Sequence, residues 1–260
     1  VTRRERPLWA LAGLPALLLI LLPLAVLTGR AAPAHLLASL GQPDTLQAIY
    51  LSLRTTLIAV VLVAVLGLPL AYYTGRVHSR FATFVDGVSD LPIVLPPAVA
   101  GIALLATFGR SGLLGPALDK AGIQITFTST AVVLAQVFVA LPYFVRSAVE
   151  GIRRIGPEEI LAASLDGASS WQVAWKVVLP QCRDALTAGV LLAWARALGE
   201  FGATLMFAGN FVGRTQTVPL AIYAGFEGDL DQAVALSIVL LFLAVVVLVA
   251  ARTLVRPSQN

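Results

Sequence analysis

Charge is the scarcest component of this chain. Only 12% of its 260 residues are Asp, Glu, Lys or Arg, where a soluble domain carries about 25%. So few charges cannot cover a globule of this size, which excludes a soluble enzyme and a disordered chain. Cys182 is the only cysteine, so neither an internal disulfide nor a cysteine metal cluster is available. His35 and His78, the only histidines, stand far apart in polar stretches, and no metal site is expected. The single methionine is Met206 and the sequence opens on Val1. The initiator is therefore expected to be absent or read from a non-standard start codon. No stretch matches G-x4-G-K-[ST], and the glycines from Gly109 to Gly115 lack a following Lys-Ser or Lys-Thr, so the chain has no phosphate-binding loop of its own. No Ser-His-Asp or Cys-His set supplies a nucleophile with a base, and no residue is nominated as catalytic.

Apolar length is abundant, with 58% of the residues hydrophobic. A helix crossing the hydrocarbon core needs about 20 apolar residues. Six candidate spans follow: Leu8 to Leu27, Thr55 to Tyr73, Leu91 to Phe108, a stretch within Ala121 to Val145 starting near Thr130, Leu186 to Gly209, and Gln232 to Ala251. The first resembles a signal peptide in its basic start and in the small residues Ala32-Pro33-Ala34. Its apolar run exceeds the roughly 7–15 residues of a signal core, so a retained helix is expected. There is no internal repeat and no low-complexity linker, and one membrane domain over residues 1–260 is expected.

The net charge of +4 invites a nucleic-acid reading, but the cations flank apolar spans. With the N-terminus inside, Arg3, Arg4, Arg6, Arg76, Arg80, Arg146, Arg153, Arg154, Lys176, Arg183, Arg252 and Arg256 lie on the cytoplasmic side. Arg30, Arg110, Lys120 and Arg214 lie outside, with Arg54 at the outer mouth of the second span. That bias is topological. It predicts both termini in the cytoplasm and removes nucleic acid as a partner.

The loop between the fourth and fifth spans, about residues 150–184, reads EGIRRIGPEEILAASLDGASSWQVAWKVVLPQCRD. Pro157, Glu158 and Glu159 form a good helix start, with acids near the positive end of the dipole. Ile160, Leu161, Ala163 and Ser164 continue the helix and Gly167 is placed to end it. A second amphipathic piece, Trp171 to Val178, is expected to stop at Pro180. Such a pair can lie on the bilayer or dock a cytoplasmic partner. Amphipathicity alone does not choose.

This loop resembles the EAA loop of ABC importer permeases, with the pattern E-A-A-x3-G-x9-I-x-L-P. Ala162, Ala163, Gly167, Leu179 and Pro180 match it. Val177 stands at the Ile position and Leu161 at the Glu position, so the usual acidic residue is absent there. Glu158 or Glu159, a turn earlier, is an alternative source of charge. LPIVLPPAVAGIALLATFGRSGLLG, from Leu91, and ARALGEFGATLMFAGNFVGRTQTVPLAIY, from Ala195, are similar to molybdate- and tungstate-type permeases, more than to their sulfate or thiosulfate cousins. The resemblance implies an all-α fold of the type I importer class in the bacterial cytoplasmic membrane. It also implies two permease copies forming a homodimer, two ATPase subunits holding ATP and Mg, and an extracytoplasmic substrate-binding protein. The coupling residues it points to are Ala162, Ala163, Gly167, Leu179 and Pro180, to which the loop itself adds Glu158, Glu159 and Ala168 as candidates.

Residues of a translocation path are read from the spans themselves. Pro92, Pro96 and Pro97 remove backbone donors at the start of the third span. They mark either a kinked, packed helix or a segment bordering a water-filled path. In the fifth span, Gly189, Ala193, Ala197, Gly199, Gly202 and Ala203 permit close helix approach. Arg196 and Glu200 are the only ionisable groups within a span. Their i, i+4 spacing puts them on one face of a continuous helix, where they pair for packing or line the path with Thr204. An ion-coupled carrier would use such a pair near the midplane, but it needs no ATPase dock. A non-transporting scaffold has no reason to keep charge at bilayer depth.

Overall fold

A computed structural model describes residues 6–30 and 33–254. Arg3, Arg4, Arg256 and both termini, which entered the orientation argument, and Ala32 of the cleavage-site likeness lie outside the described residues. The helices in order are α1 (Arg6–Arg30), α2 (Pro33–Leu40), α3 (Pro43–Arg76), α4 (Arg80–Ser89), α5 (Leu91–Val94), α6 (Pro97–Phe108), α7 (Gly115–Lys120), α8 (Ser129–Arg153), α9 (Pro157–Leu165) and α10 (Ser170–Val173). A π-turn (Ala174–Val178) then leads to α11 (Leu179–Gln181), α12 (Arg183–Leu198), α13 (Gly202–Ala208), α14 (Val218–Gly228) and α15 (Leu230–Leu254). His35 lies in α2 rather than in a loop.

Among the described residues, four helices are long and apolar enough to cross a bilayer, namely α1, α3, α8 and α15. The count rises to six if each of two bent pairs is taken as one span. The expected third span is not continuous. It breaks at Leu95–Pro96, and the helix before the break meets α6 at 114°. Leu95 is held extended by the proline after it. The expected fifth span breaks at residues 199–201, where α12 and α13 diverge by 60°. The second span extends well beyond Thr55 and Tyr73 to the full length of α3.

The centre is built by α3, α8 and α12. Its core contains Ala59, Val63, Ala71, Ala140, Phe144, Ala148, Val178, Ala193 and Ala197, all buried. Small side chains dominate because lipid offers no hydrophobic drive between helices and contact must come from close approach. The Phe144 ring sets the register. Hypothetical Cβ atoms on Gly67 of α3 and Gly189 of α12 would stand 2.7 and 3.2 Å from it. A second cluster packs α6 and α13 on the other half of α8 through Ala100, Leu104, Val139, Ala203 and Phe207. Along α1, none of the span is buried within this chain.

The cations grouped by the charge bias meet at one end. Arg146 holds Asp90 with two bonds, Nε to Oδ1 at 2.7 Å and Nη2 to Oδ2 at 2.8 Å. Arg153 Nη2 donates to Asp86 Oδ2 at 3.0 Å and to the Thr74 carbonyl at 3.2 Å. Arg76 Nη1 donates to the Ile155 carbonyl at 3.1 Å. These contacts tie α4 and the end of α3 to the end of α8 from which α9 emerges.

Candidate functional site

The loop after α8 starts its helix at Pro157, with Glu158 and Glu159 in the first turn. It closes as expected at Gly167, whose φ is +84°. The Gly167 amide donates to the Ser164 carbonyl at 3.1 Å and the Ala168 amide to the Ala163 carbonyl at 3.0 Å. This pair of bonds is a Schellman closure, with its left-handed residue at Gly167. A Cβ at Gly167 would meet nothing within 4 Å, so backbone conformation rather than crowding calls for glycine.

None of α9 is buried. Ile160, Ala163 and Ala168 rest on the central core, while Glu158, Glu159 and Ala162 are exposed. Leu161, at the position where acid was expected, is 60% exposed, and Leu165 is 79% exposed. The outward face is thus apolar, with carboxylates at its start.

The second piece does not stop at Pro180. It begins with a capping box in which Ser169 Oγ accepts from the Gln172 amide and Gln172 Oε1 accepts from the Ser169 amide. The S-x-x-Q spacing of Ser169 and Gln172 is the readable sequence signal for this cap. The helix then widens into the π-turn, where the Leu179 amide donates to the Ala174 carbonyl, five residues back. Proline lacks an N–H and collides with the carbonyl four residues back. The wider turn accommodates Pro180, and helix resumes into α12. Leu179 is half-buried on the central core, and Pro180 is exposed.

Arg196 and Glu200 do meet, but not on one continuous helix. Glu200 lies in the break between α12 and α13 and is 1% exposed. Its Oε1 accepts from the Ala203 amide at 2.7 Å, capping the start of α13. Its Oε2 stands 2.7 Å from Arg196 Nη1, off the direction of an aligned hydrogen bond, so this contact is an ion pair. The carboxylate therefore serves a backbone donor and a cation together. Thr204 is fully buried and its hydroxyl has no hydrogen-bond partner. Pro97 packs against Gly202, where an added Cβ would lie 2.7 Å from the proline Cβ. Pro96 is exposed. The structure thus gathers Pro97, Glu200 and Thr204 where α6 crosses α13.

Gln136 was not anticipated. It is 1% exposed and its Oε1 has no partner. Counting from the Phe144 register, it lies about 12 Å along α8 while Arg196 lies about 10 Å along α12 in the same direction, so the two share one depth. The end of the loop before α14 is also tucked inward, with Thr215, Gln216 and Thr217 buried while residues 211–214 are exposed. Phe211 donates its amide to Thr215 Oγ1 at 3.0 Å, and Ser52 Oγ accepts from the Val218 amide at 2.7 Å.

The family model described as binding-protein-dependent transport system inner membrane component matches residues 65–258. A molybdenum transport system permease protein of Mycobacterium bovis is 43% identical over 253 residues, covering 96% of each chain. A sulfate transport system permease protein of Escherichia coli is 35% identical, covering 91% of this chain and 87% of its own. A solved bacterial alginate ABC transporter chain superposes with a TM-score of 0.76 at 18% identity, covering 98% of this chain and 95% of its own. Apolar spans, the α9 loop and these likenesses agree: the chain belongs to the binding-protein-dependent transport system inner membrane components, as a multi-pass permease of ABC importers with the type I fold.

Proposed function

We propose that this permease carries molybdate or tungstate across the bacterial cytoplasmic membrane, working as a homodimer with two ATPase subunits and an extracytoplasmic binding protein. Identity of 43% along 96% of a molybdenum permease is the observation that carries the choice of oxyanion. Sulfate is the second reading, favoured by the 35% identity to a sulfate permease. ATP and Mg belong to the partner ATPase, and this chain contributes no catalytic group.

The docking part of the reading rests on α9. Exposed Leu161, Ala162 and Leu165 form an apolar face beyond the bundle, flanked by Glu158 and Glu159. Inserted in a groove of the ATPase, that face is buried and the acids stay at its rim. Ala163 and Ala168 link it to the core of α3, α8 and α12, so movement of α9 reaches the helices around Arg196. Pairing with Glu200 holds the guanidinium at bilayer depth, where a lone charge costs at least about 2.5–3.5 kcal/mol. Arg196 then eases passage of a dianion, and Glu200 is not itself a ligand because like charges repel.

The deciding experiment is uptake into proteoliposomes holding this permease, its ATPase and its binding protein. Molybdate uptake that needs ATP, and that tungstate competes more strongly than sulfate, is the expected result. Stronger competition by sulfate reassigns the substrate, and uptake without the ATPase removes the importer reading. Cysteine pairs placed on α12 in a Cys182-free chain should crosslink identical chains. Crosslinks only to a different permease chain mean a heterodimer.

A further inference from the structure

We infer that the end of α3 and the segment after α9 form a site for an anionic phospholipid, with its phosphate on Arg76. An open groove of about 400 Å³ runs between them. Leu68, Tyr72 and Arg76 lie along one stripe of α3, and Ser170, Trp171 and Trp175 face them. From Leu68 to Arg76 the stripe spans about 12 Å, close to the roughly 15 Å depth of one leaflet's hydrocarbon. The groove is therefore long enough to lay an acyl chain along Leu68 and Tyr72 while the charged end meets its head.

Arg76 supplies that charge in an incomplete state. One nitrogen, Nη1, donates to the Ile155 carbonyl, while Nε and Nη2 are buried and have no partner. No carboxylate pairs with Arg76 among the described residues. Buried guanidinium donors without acceptors are costly, and a turn of the Arg76 side chain toward the groove lets a phosphate accept two of them side by side. The surroundings match the depth of headgroups. Trp171 and Trp175 pack with ring centres 5.3 Å apart and planes tilted by 58°, and they are 71% and 49% exposed. Phe81 and Phe84 of α4 are also exposed at this end of the bundle. Indole rings settle at the membrane–water interface, and basic pockets beside spans at the cytoplasmic side hold anionic heads.

The occupant is a lipid rather than a soluble phosphate because most of the lining is apolar and open to the side. Its position between α3 and the π-turn places the lipid against the segment that carries α9. This site rests on the membrane reading of the chain, but on neither the substrate nor the ATPase.

The test is quenching of tryptophan fluorescence in phosphatidylcholine vesicles containing rising fractions of bromine-labelled phosphatidylglycerol or bromine-labelled phosphatidylcholine. Half-quenching should need about fivefold less of the glycerol lipid, the factor that one surface cation supplies. The preference should vanish in Arg76→Gln. Because Arg76 also braces Ile155, Ser170→Glu is the second variant. It puts a carboxylate at the groove mouth, at an exposed first position of α10 where acid suits the helix dipole. That variant should fold, retain ATP-driven uptake and lose the preference. Replacing Trp171 and Trp175 by Phe should remove the sensitive part of the signal. Equal quenching by the two lipids, a preference that survives Ser170→Glu, or its loss to added inorganic phosphate at constant ionic strength would each overturn the proposal.

Discussion

Gly67 of α3 stands so close to the ring of Phe144 on α8 that a Cβ there would lie 2.7 Å from Cδ1. The ring cannot retreat, because its other edge meets Gly189 of α12. Gly67→Ala should therefore lower stability by about 1–3 kcal/mol, the range for overpacked cores. Thermal unfolding in detergent measures it, with Gly13→Ala as the control, since a Cβ at Gly13 meets nothing within 4 Å. Equal melting temperatures for the two variants would show that the three central helices separate easily.

At Gly167 the expected penalty comes from conformation. An L-residue held in the left-handed region costs about 1–2 kcal/mol. Gly167→Val should loosen the end of α9 and reduce ATP-driven uptake while membrane insertion stays normal. Asparagine tolerates that region, so Gly167→Asn should recover most of the uptake. Equal loss in both variants would point to a need for space on the docked surface instead of for the turn.

The two oxygens of Glu200 do different work and can be separated. Glu200→Gln keeps an acceptor for the Ala203 amide but gives up the ion pair. Glu200→Leu loses both, leaving a buried donor unmet at a cost of about 1–3 kcal/mol. Unfolding should rank native, Gln, then Leu. Uptake by an Arg196→Leu, Glu200→Leu double variant, measured beside its stability, then tests the path. A stable double variant transporting at the native rate reduces the pair to packing.

Cys182 is 3% exposed, and burial pushes its thiol above the ordinary range. Thiolate is the reactive form. N-ethylmaleimide at neutral pH should leave the folded protein almost unlabelled and react fully once it is denatured. Rapid labelling of the folded chain would mean that the junction between the π-turn and α12 opens.

The ends of α9 were legible because Pro157 and Gly167 act locally, each through its own backbone angles. Apolar length also located every long helix. What it missed were directions. A hydropathy window reads Leu91 to Phe108 and Leu186 to Gly209 as continuous, since a bend leaves composition unchanged. Glu200 consequently looked like a helical partner of Arg196, when its backbone is non-helical and its carboxylate caps α13. Pro180 looked like a stop because the rule for proline assumes an α-helix on its N-terminal side. The burial of Thr215, Gln216 and Thr217 left no mark, because polar residues between apolar runs read the same whether they face water or protein.

The π-turn has a consequence for how α9 is aimed. It holds one residue more than an α-helical turn spends over the same rise, and each residue of an α-helix turns the chain by about 100°. Deleting a single residue from Ala174–Val178 would let the backbone close into ordinary helix while Trp171 and everything before it keep nearly their present angle, because the bulge is where the extra residue is absorbed. The bulge thus works as a buffer: it takes up one residue beside Pro180 and leaves unchanged which side of α9 points away from the bundle.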